Sequence, residues 1–181
     1  ALVLASNHEK AWSNGIDLDY IRSKGMAYLF DHFVPRLDGF LGRIAWLNLP
    51  TVACISGNAY GGGALIASAC DFRTMRADRG RICFPEIDLK LGLSPAMVEC
   101  VNTLPNEQAR WEMVMTGRAL GGEEAAARQI VDRALSAEAL LPETLALAAQ
   151  LASKDRVAYT RLKRLLRPRW AKFAPQAKSA A

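Results

Sequence analysis

The feature that most narrows the fold of this chain is a run of three glycines, Gly61-Gly62-Gly63, between a β-branched stretch and a stretch of small residues. Thr51 to Ser56 has the length and side chains of a buried strand, and Ala64 to Cys70 those of a closely packed helix. A strand that turns through glycines into a helix leaves the first helical N–H groups without partners. It also lets a ligand or another backbone approach where a Cβ would stand. Such N–H groups bind anions, either a phosphate or an oxygen that becomes negative during a reaction. Two common phosphate-binding patterns are excluded: Ala64 stands where a phosphate loop needs lysine, and the spacing does not fit G-x-G-x-x-G. Close packing of helix on strand is the other use of such a run.

The flanking sequence alternates strands and helices. Ala1–Ala5, Asp71–Ala77, Arg81–Phe84 and Ile130–Ala134 read as further strands. From Leu18 to Leu47 apolar residues recur at helical spacing, with Pro35 expected to divide the stretch in two. Helices are expected at Pro95–Leu104, Glu107–Thr116, Glu123–Gln129, Leu140–Ala152 and Val157–Leu166. Strands and helices joined this closely predict an α/β fold.

In 181 residues there is no apolar run of the ~20 residues a membrane helix needs. The four cysteines, Cys54, Cys70, Cys83 and Cys100, have no C-x-x-C spacing and apolar neighbours, which predicts buried thiols and a reducing, cytoplasmic setting. His8 and His32 alone cannot hold a metal, and Trp12, Trp46, Trp111, Trp170, Met113 and Met115 read as packing residues. The net charge of +5 is uneven: nine Lys or Arg and a single acid follow residue 153. That excess is either a solvated helix face or a surface for an anionic partner such as nucleotide phosphates, with RNA the less favoured partner.

A second turn leads into a helix at Trp12-Ser13-Asn14-Gly15-Ile16-Asp17-Leu18. Here a family resemblance becomes specific. Lys10 to Leu18 resembles the "KAFSAGAD[IL]" element of the crotonase, or enoyl-CoA hydratase/isomerase, superfamily. Leu49 to Gly63 resembles its "KPVIAAINGYALGGG", Ala69-Cys70-Asp71-Phe72-Arg73 its "ACDIRIA", and Phe84-Pro85-Glu86 its "F-x-x-PE". Gly121-Gly122-Glu123-Glu124-Ala125 through Asp132 resembles the element that follows.

The resemblance implies a ββα spiral core over 1–135, lacking the N-terminal part of the usual unit, and a C-terminal helical region over 136–181 for oligomerisation and for covering the CoA. It implies an acyl-CoA substrate, no further cofactor, no metal, and a homotrimer or dimer of trimers acting in fatty-acid β-oxidation. The oxyanion would be held by the N–H groups of Ile16 and Gly62, and Glu86 would be the catalytic base. Lys10, Trp12, Asn14, Gly15, Asp17, Gly61, Gly63 and Leu65 would frame substrate and CoA, with Tyr60 and Met97 as further candidates for the acyl pocket.

The chain departs from the hydratases at Leu65. There those enzymes carry the first of two glutamates that activate water. A single carboxylate is the pattern of the Δ3,Δ2-enoyl-CoA isomerases, where one glutamate moves a proton from C2 to C4. Asp88 rivals Glu86 if Leu91-Gly92-Leu93 rather than Phe84-Pro85-Glu86 anchors the alignment: from Glu86 the usual spacing to the glycine is two residues shorter, and Lys90 occupies the expected glycine place. A hydratase or another acyl-CoA enzyme of the same superfamily, a catalytically silent assembly partner, and an RNA binder using Lys154, Arg161, Lys163, Arg164 and Arg167 are the alternatives.

Overall fold

The computed structural model describes residues 1–8 and 10–174. The chain visits two four-stranded sheets in alternation. The first takes β1 (Leu2–Leu4), β3 (Thr51–Ile55), β5 (Phe72–Arg76) and β8 (Arg133–Leu135), in the order β1-β3-β5-β8 and all parallel. The second takes β2 (Ala11–Ser13), β4 (Asn58–Tyr60), β6 (Arg81–Cys83) and β7 (Leu120–Gly121), with only β7 antiparallel to its neighbour. Each early turn of chain thus lays one strand in each sheet and then adds helices, so the fold advances as a ββα spiral.

After β2 come α1 (Leu18–Lys24), the short α2 (Met26–Tyr28), a π-helical turn (Leu29–Phe33) and α3 (Val34–Ala45). The helix α4 (Gly62–Ala69) follows β4 and packs against strands of both sheets. Next are α5 (Pro95–Asn102), α6 (Glu107–Thr116), α7 (Gly122–Ala127), α8 (Ala137–Ala152) and α9 (Arg156–Leu166), then a 3-10 stretch over Pro168–Phe173.

Burial explains the sequence pattern. All five residues of β3 are buried, as a strand without polar alternation requires when a parallel sheet is covered on both faces. One cover is α8, which crosses β1, β3 and β5; the buried Thr144 on α8 hydrogen-bonds Thr74 of β5 at 2.6 Å. Ser136 caps α8 directly after β8, and this helix packs as part of the core.

Several elements differ from expectation. Pro35 does not divide the helical stretch. It sits in the first turn of α3, where an absent N–H is harmless. The actual interruptions are Gly25, with φ 86°, and the π turn. Strands β2 and β4 border Ser13-Asn14-Gly15 and Ser56-Gly57-Asn58, whose turn residues mask three-residue strands. The strand expected at Ile130–Ala134 is displaced to Arg133–Leu135, and Ile130 and Val131 plug the core instead.

All four cysteines are free and buried. Met113 and Trp170 are core residues and Trp12 and Trp46 half-buried, but Trp111 and Met115 are 67% and 48% exposed. On α6 it is Ala109 and Met113, one turn apart, that face the core, which turns the Trp111–Met115 pair outward. Among the described residues no helix is long and apolar enough to cross a membrane. The tail from 175 to 181, which includes Lys178, lies outside the described residues.

Candidate active site

The glycine run does two jobs. Helix α4 starts at Gly62, and its N-cap, Gly61, has no side chain to satisfy the first-turn donors. Among the described residues the N–H groups of Ile16 and Gly62 have no hydrogen-bond acceptor. Gly63 is different: a Cβ there would run into the carbonyl oxygen and side chain of Ser13, so it lets α4 pack on β2. Unpartnered donors and close packing therefore coexist in the run, one residue apart.

The loop after β2 lies along the start of α4. Gly15 has φ 83°, and a Cβ on it would stand 2.6 Å from the Tyr60 carbonyl oxygen and 2.7 Å from the Gly62 nitrogen. Only glycine fits both that conformation and that approach. A Cβ on Gly62 would stand 3.8 Å from the Ile16 side chain. Ile16 and Gly62 thus lie side by side on the wall of one cavity of about 230 Å³.

That cavity has a polar end and an apolar body. Asn14, Ile16, Tyr60, Gly61, Gly62 and Glu86 form the first. Leu18, Leu29, Phe30 and Val34, from the segment between α1 and α3, form one side of the second. Leu65 of α4, Met97 of α5 and the stretch from Leu89 to Gly92 form the other. The sequence named Asn14, Ile16, Gly61, Gly62, Leu65 and Glu86, with Tyr60 and Met97 as candidates. Leu29, Phe30 and Val34 lie in the stretch the sequence marked only by helical periodicity, and nothing local marks them as cavity residues.

Glu86 is the sole carboxylate on the cavity wall among the described residues. It sits on a 3-10 turn, Pro85–Ile87, whose proline fixes the entry, and its carbonyl accepts the Leu91 N–H at 2.9 Å. Its Oε2 is buried without a hydrogen-bond partner, and burial pushes its pKa above the usual carboxylate range. Its Oε1 is 3.6 Å from where a Cβ on Gly61 would be. Asp88 is exposed, and its carboxylate lies against Gly117 rather than on the cavity. Lys90 has φ 57°, the conformation glycine prefers, which agrees with an alignment anchored on Glu86 that puts Lys90 in a glycine place.

Other expected site residues stand beside the cavity rather than on it. Asp17 caps α1, accepting the Tyr20 N–H at 2.9 Å, and so orients the loop that carries Ile16. Trp12 is half-buried, and its indole N–H donates to the Leu4 carbonyl at 3.2 Å, tying the two sheets together. Lys10 is exposed at the entry to β2, where its carbonyl accepts the Asn58 N–H at 3.4 Å.

The C-terminal basic cluster is largely structural. Lys163 is buried and donates to Asp71 at 2.9 Å, and Arg167 pairs with the same carboxylate at 3.3 Å. Arg164 bonds the Asn48 side chain at 2.7 Å and lies over the Trp46 ring. These contacts lie near the C-terminal end of α4, whereas the cavity opens at its N-terminal end. Within one chain Lys163 and Arg167 are thus unavailable to nucleotide phosphates or to RNA, because the core already uses their charge.

Comparison with known proteins identifies the family. The family model described as enoyl-CoA hydratase/isomerase matches residues 1–180. The enoyl-CoA delta isomerase 3 of Arabidopsis thaliana is 33% identical over 161 residues, covering 85% of this chain and 67% of that protein. The carnitinyl-CoA dehydratase of Escherichia coli K12 is 36% identical over 170 residues, covering 91% of this chain and 62% of that protein. The chain thus spans about two thirds of these relatives. Among solved structures, an enoyl-CoA hydratase from Mycobacterium ulcerans superposes with a TM-score of 0.85 at 21% identity, covering 94% of this chain and 74% of that one. With its motifs in order, a matching spiral and a family model spanning nearly its whole length, this chain belongs to the enoyl-CoA hydratase/isomerase family.

Proposed function

We propose that this protein is a Δ3,Δ2-enoyl-CoA isomerase that moves the double bond of a 3-enoyl-CoA to the trans-2 position. The observation that carries this reading is a lone half-buried carboxylate, Glu86, whose Oε2 is buried without a partner, on a cavity wall that also holds Leu65 rather than a second acid. Glu86 removes a proton from C2 of the bound thioester. The charge moves to the thioester oxygen, where the N–H groups of Ile16 and Gly62 stabilise the dienolate. Glu86 then returns the proton to C4, leaving the double bond between C2 and C3. One group acts as base and then as acid, so no water and no second carboxylate is needed. CoA enters as part of the substrate, and the outward face of α9 packs against other copies of the chain in a trimer or dimer of trimers.

The raised pKa of Glu86 suits the task, since a carboxyl closer to neutral transfers a proton in both directions more readily. Addition or loss of water, as in a hydratase or dehydratase, would call for a second acid–base group beside Glu86. The reaction assay decides. The isomerase converts 3-enoyl-CoA to trans-2-enoyl-CoA with at most weak hydration of the product. Glu86→Gln lowers the conversion by about 10²–10⁴-fold or more, while Asp88→Asn retains most of it. Robust hydration beside a silent isomerase assay would overturn the reading.

A further inference from the structure

Three helices border the apolar part of the cavity. α3, α4 and α5 pack against one another, and each contributes a wall residue there: Val34, Leu65 and Met97. Leu65 and Met97 are buried in the same core cluster as the fully buried Leu41, Ala96 and Cys100. A methionine is ordinarily a yielding wall, because three rotatable bonds let it move aside. Met97 is fastened at two points. Its N–H donates to Ser94 Oγ at 3.2 Å, and its sulfur accepts the Ser94 N–H at 3.4 Å. Ser94 is itself tied to α3, its hydroxyl donating to the Asp38 carboxylate at 2.6 Å. The thioether is therefore latched between α5 and α3.

We propose that Met97, latched by Ser94, is the chain-length stop of the acyl site, so that the protein takes short acyl thioesters of about six carbons or fewer. The inference rests on the acyl-thioester reading above. On the scale where a cavity of about 150 Å³ takes up a six-carbon ring, one of about 230 Å³ takes a chain of similar carbon count together with its thioester group. A longer chain would have to displace Met97 or turn out past the half-exposed Phe30 at the lip.

The test is calorimetric titration of the protein with butyryl-, hexanoyl-, octanoyl- and decanoyl-CoA, which are saturated and do not turn over. Affinity should rise to hexanoyl-CoA and then level or fall. Met97→Ala removes three non-hydrogen atoms and opens room for two or so further methylenes, each worth about a factor of four when buried. The preference for octanoyl- over hexanoyl-CoA should therefore increase about 15-fold in that variant. If Met97→Ala does not melt cooperatively, Met97→Leu, one atom shorter at similar volume, should increase it about fourfold. Wild-type affinity that keeps climbing to decanoyl-CoA, or a folded variant with an unchanged preference, would overturn the proposal while leaving the acyl-thioester reading intact. Failure of every CoA thioester to bind would overturn that reading itself.

Discussion

Glu86 is held in a place that an ionised carboxylate disfavours, and both activity and stability should register it. Burial raises its folded-state pKa, and its Oε2 has no partner to offset the loss of water. As the base it must be ionised, so the acid limb of kcat/KM should lie above the ~4.3 of a solvated glutamate. For stability the sign is opposite. Between the unfolded and folded pKa values the folded protein holds more protons, so stability falls as pH rises through that window. Glu86→Gln should therefore melt higher than wild type at neutral pH and lose that slope, even as it loses activity; thermal melts of both proteins across pH 4–8 check it. Lys90 offers a second residue-scale test. It is exposed and holds φ 57°, so Lys90→Gly should stabilise the protein by about 1 kcal/mol in chemical denaturation. The position of Glu86 was legible because a motif surrounds it. The left-handed backbone at Lys90 was marked only by the family pattern, which has glycine there, since a lysine by itself gives no local sign of such a turn.

At the scale of elements, α9 is clamped to the core by charge rather than by a broad apolar face. The Asp71 carboxylate accepts the Thr51 N–H at 3.0 Å, the Tyr159 hydroxyl at 3.1 Å and Lys163 Nζ at 2.9 Å, with Arg167 alongside. Both Lys163 and Asp71 are nearly fully buried, and burial depresses the lysine pKa even beside its partner. Removing one partner of such a pair typically destabilises by 3–5 kcal/mol. Arg167 stays near Asp71, so Lys163→Met should lose about 3 kcal/mol in urea unfolding, while the folded fraction keeps the wild-type KM for acyl-CoA. A raised KM with unchanged stability would instead make Lys163 a ligand contact. The sequence displayed α9 through its periodicity, and Asp71 through the "ACD" element. Ninety-two positions separate Asp71 from Lys163, and a charge count cannot tell a lysine folded into the core from one left in water. For the same reason the three-residue strands β2 and β4 escaped notice: turn residues flank them, and their pairing is with each other, 47 residues apart from Ala11 to Asn58.

At the scale of the whole molecule, the spiral order followed from the ordered motifs, but no run of residues encodes that β3 sits between β1 and β5. Nor does periodicity decide which apolar face of a terminal helix meets the core. On α9 Tyr159 and Lys163 turn inward, and Val157, Leu162, Leu165 and Leu166 are left 76%, 59%, 66% and 82% exposed. Apolar side chains clustered this way at a surface mark a contact with another molecule more often than a bare face. In the proposed assembly that contact is another copy of this chain. Leu162→Glu with Leu166→Glu would place two charges in the interface, where burying an unpaired charge is strongly unfavourable. Neither leucine touches the Asp71 clamp, so the subunit should keep its fold and its circular dichroism. Sedimentation should then show the wild type as a trimer or a multiple of three, and the double variant at lower mass. An unchanged mass in the double variant would place the subunit contacts on another surface, with Trp111 and Met115 on α6 the next pair to charge.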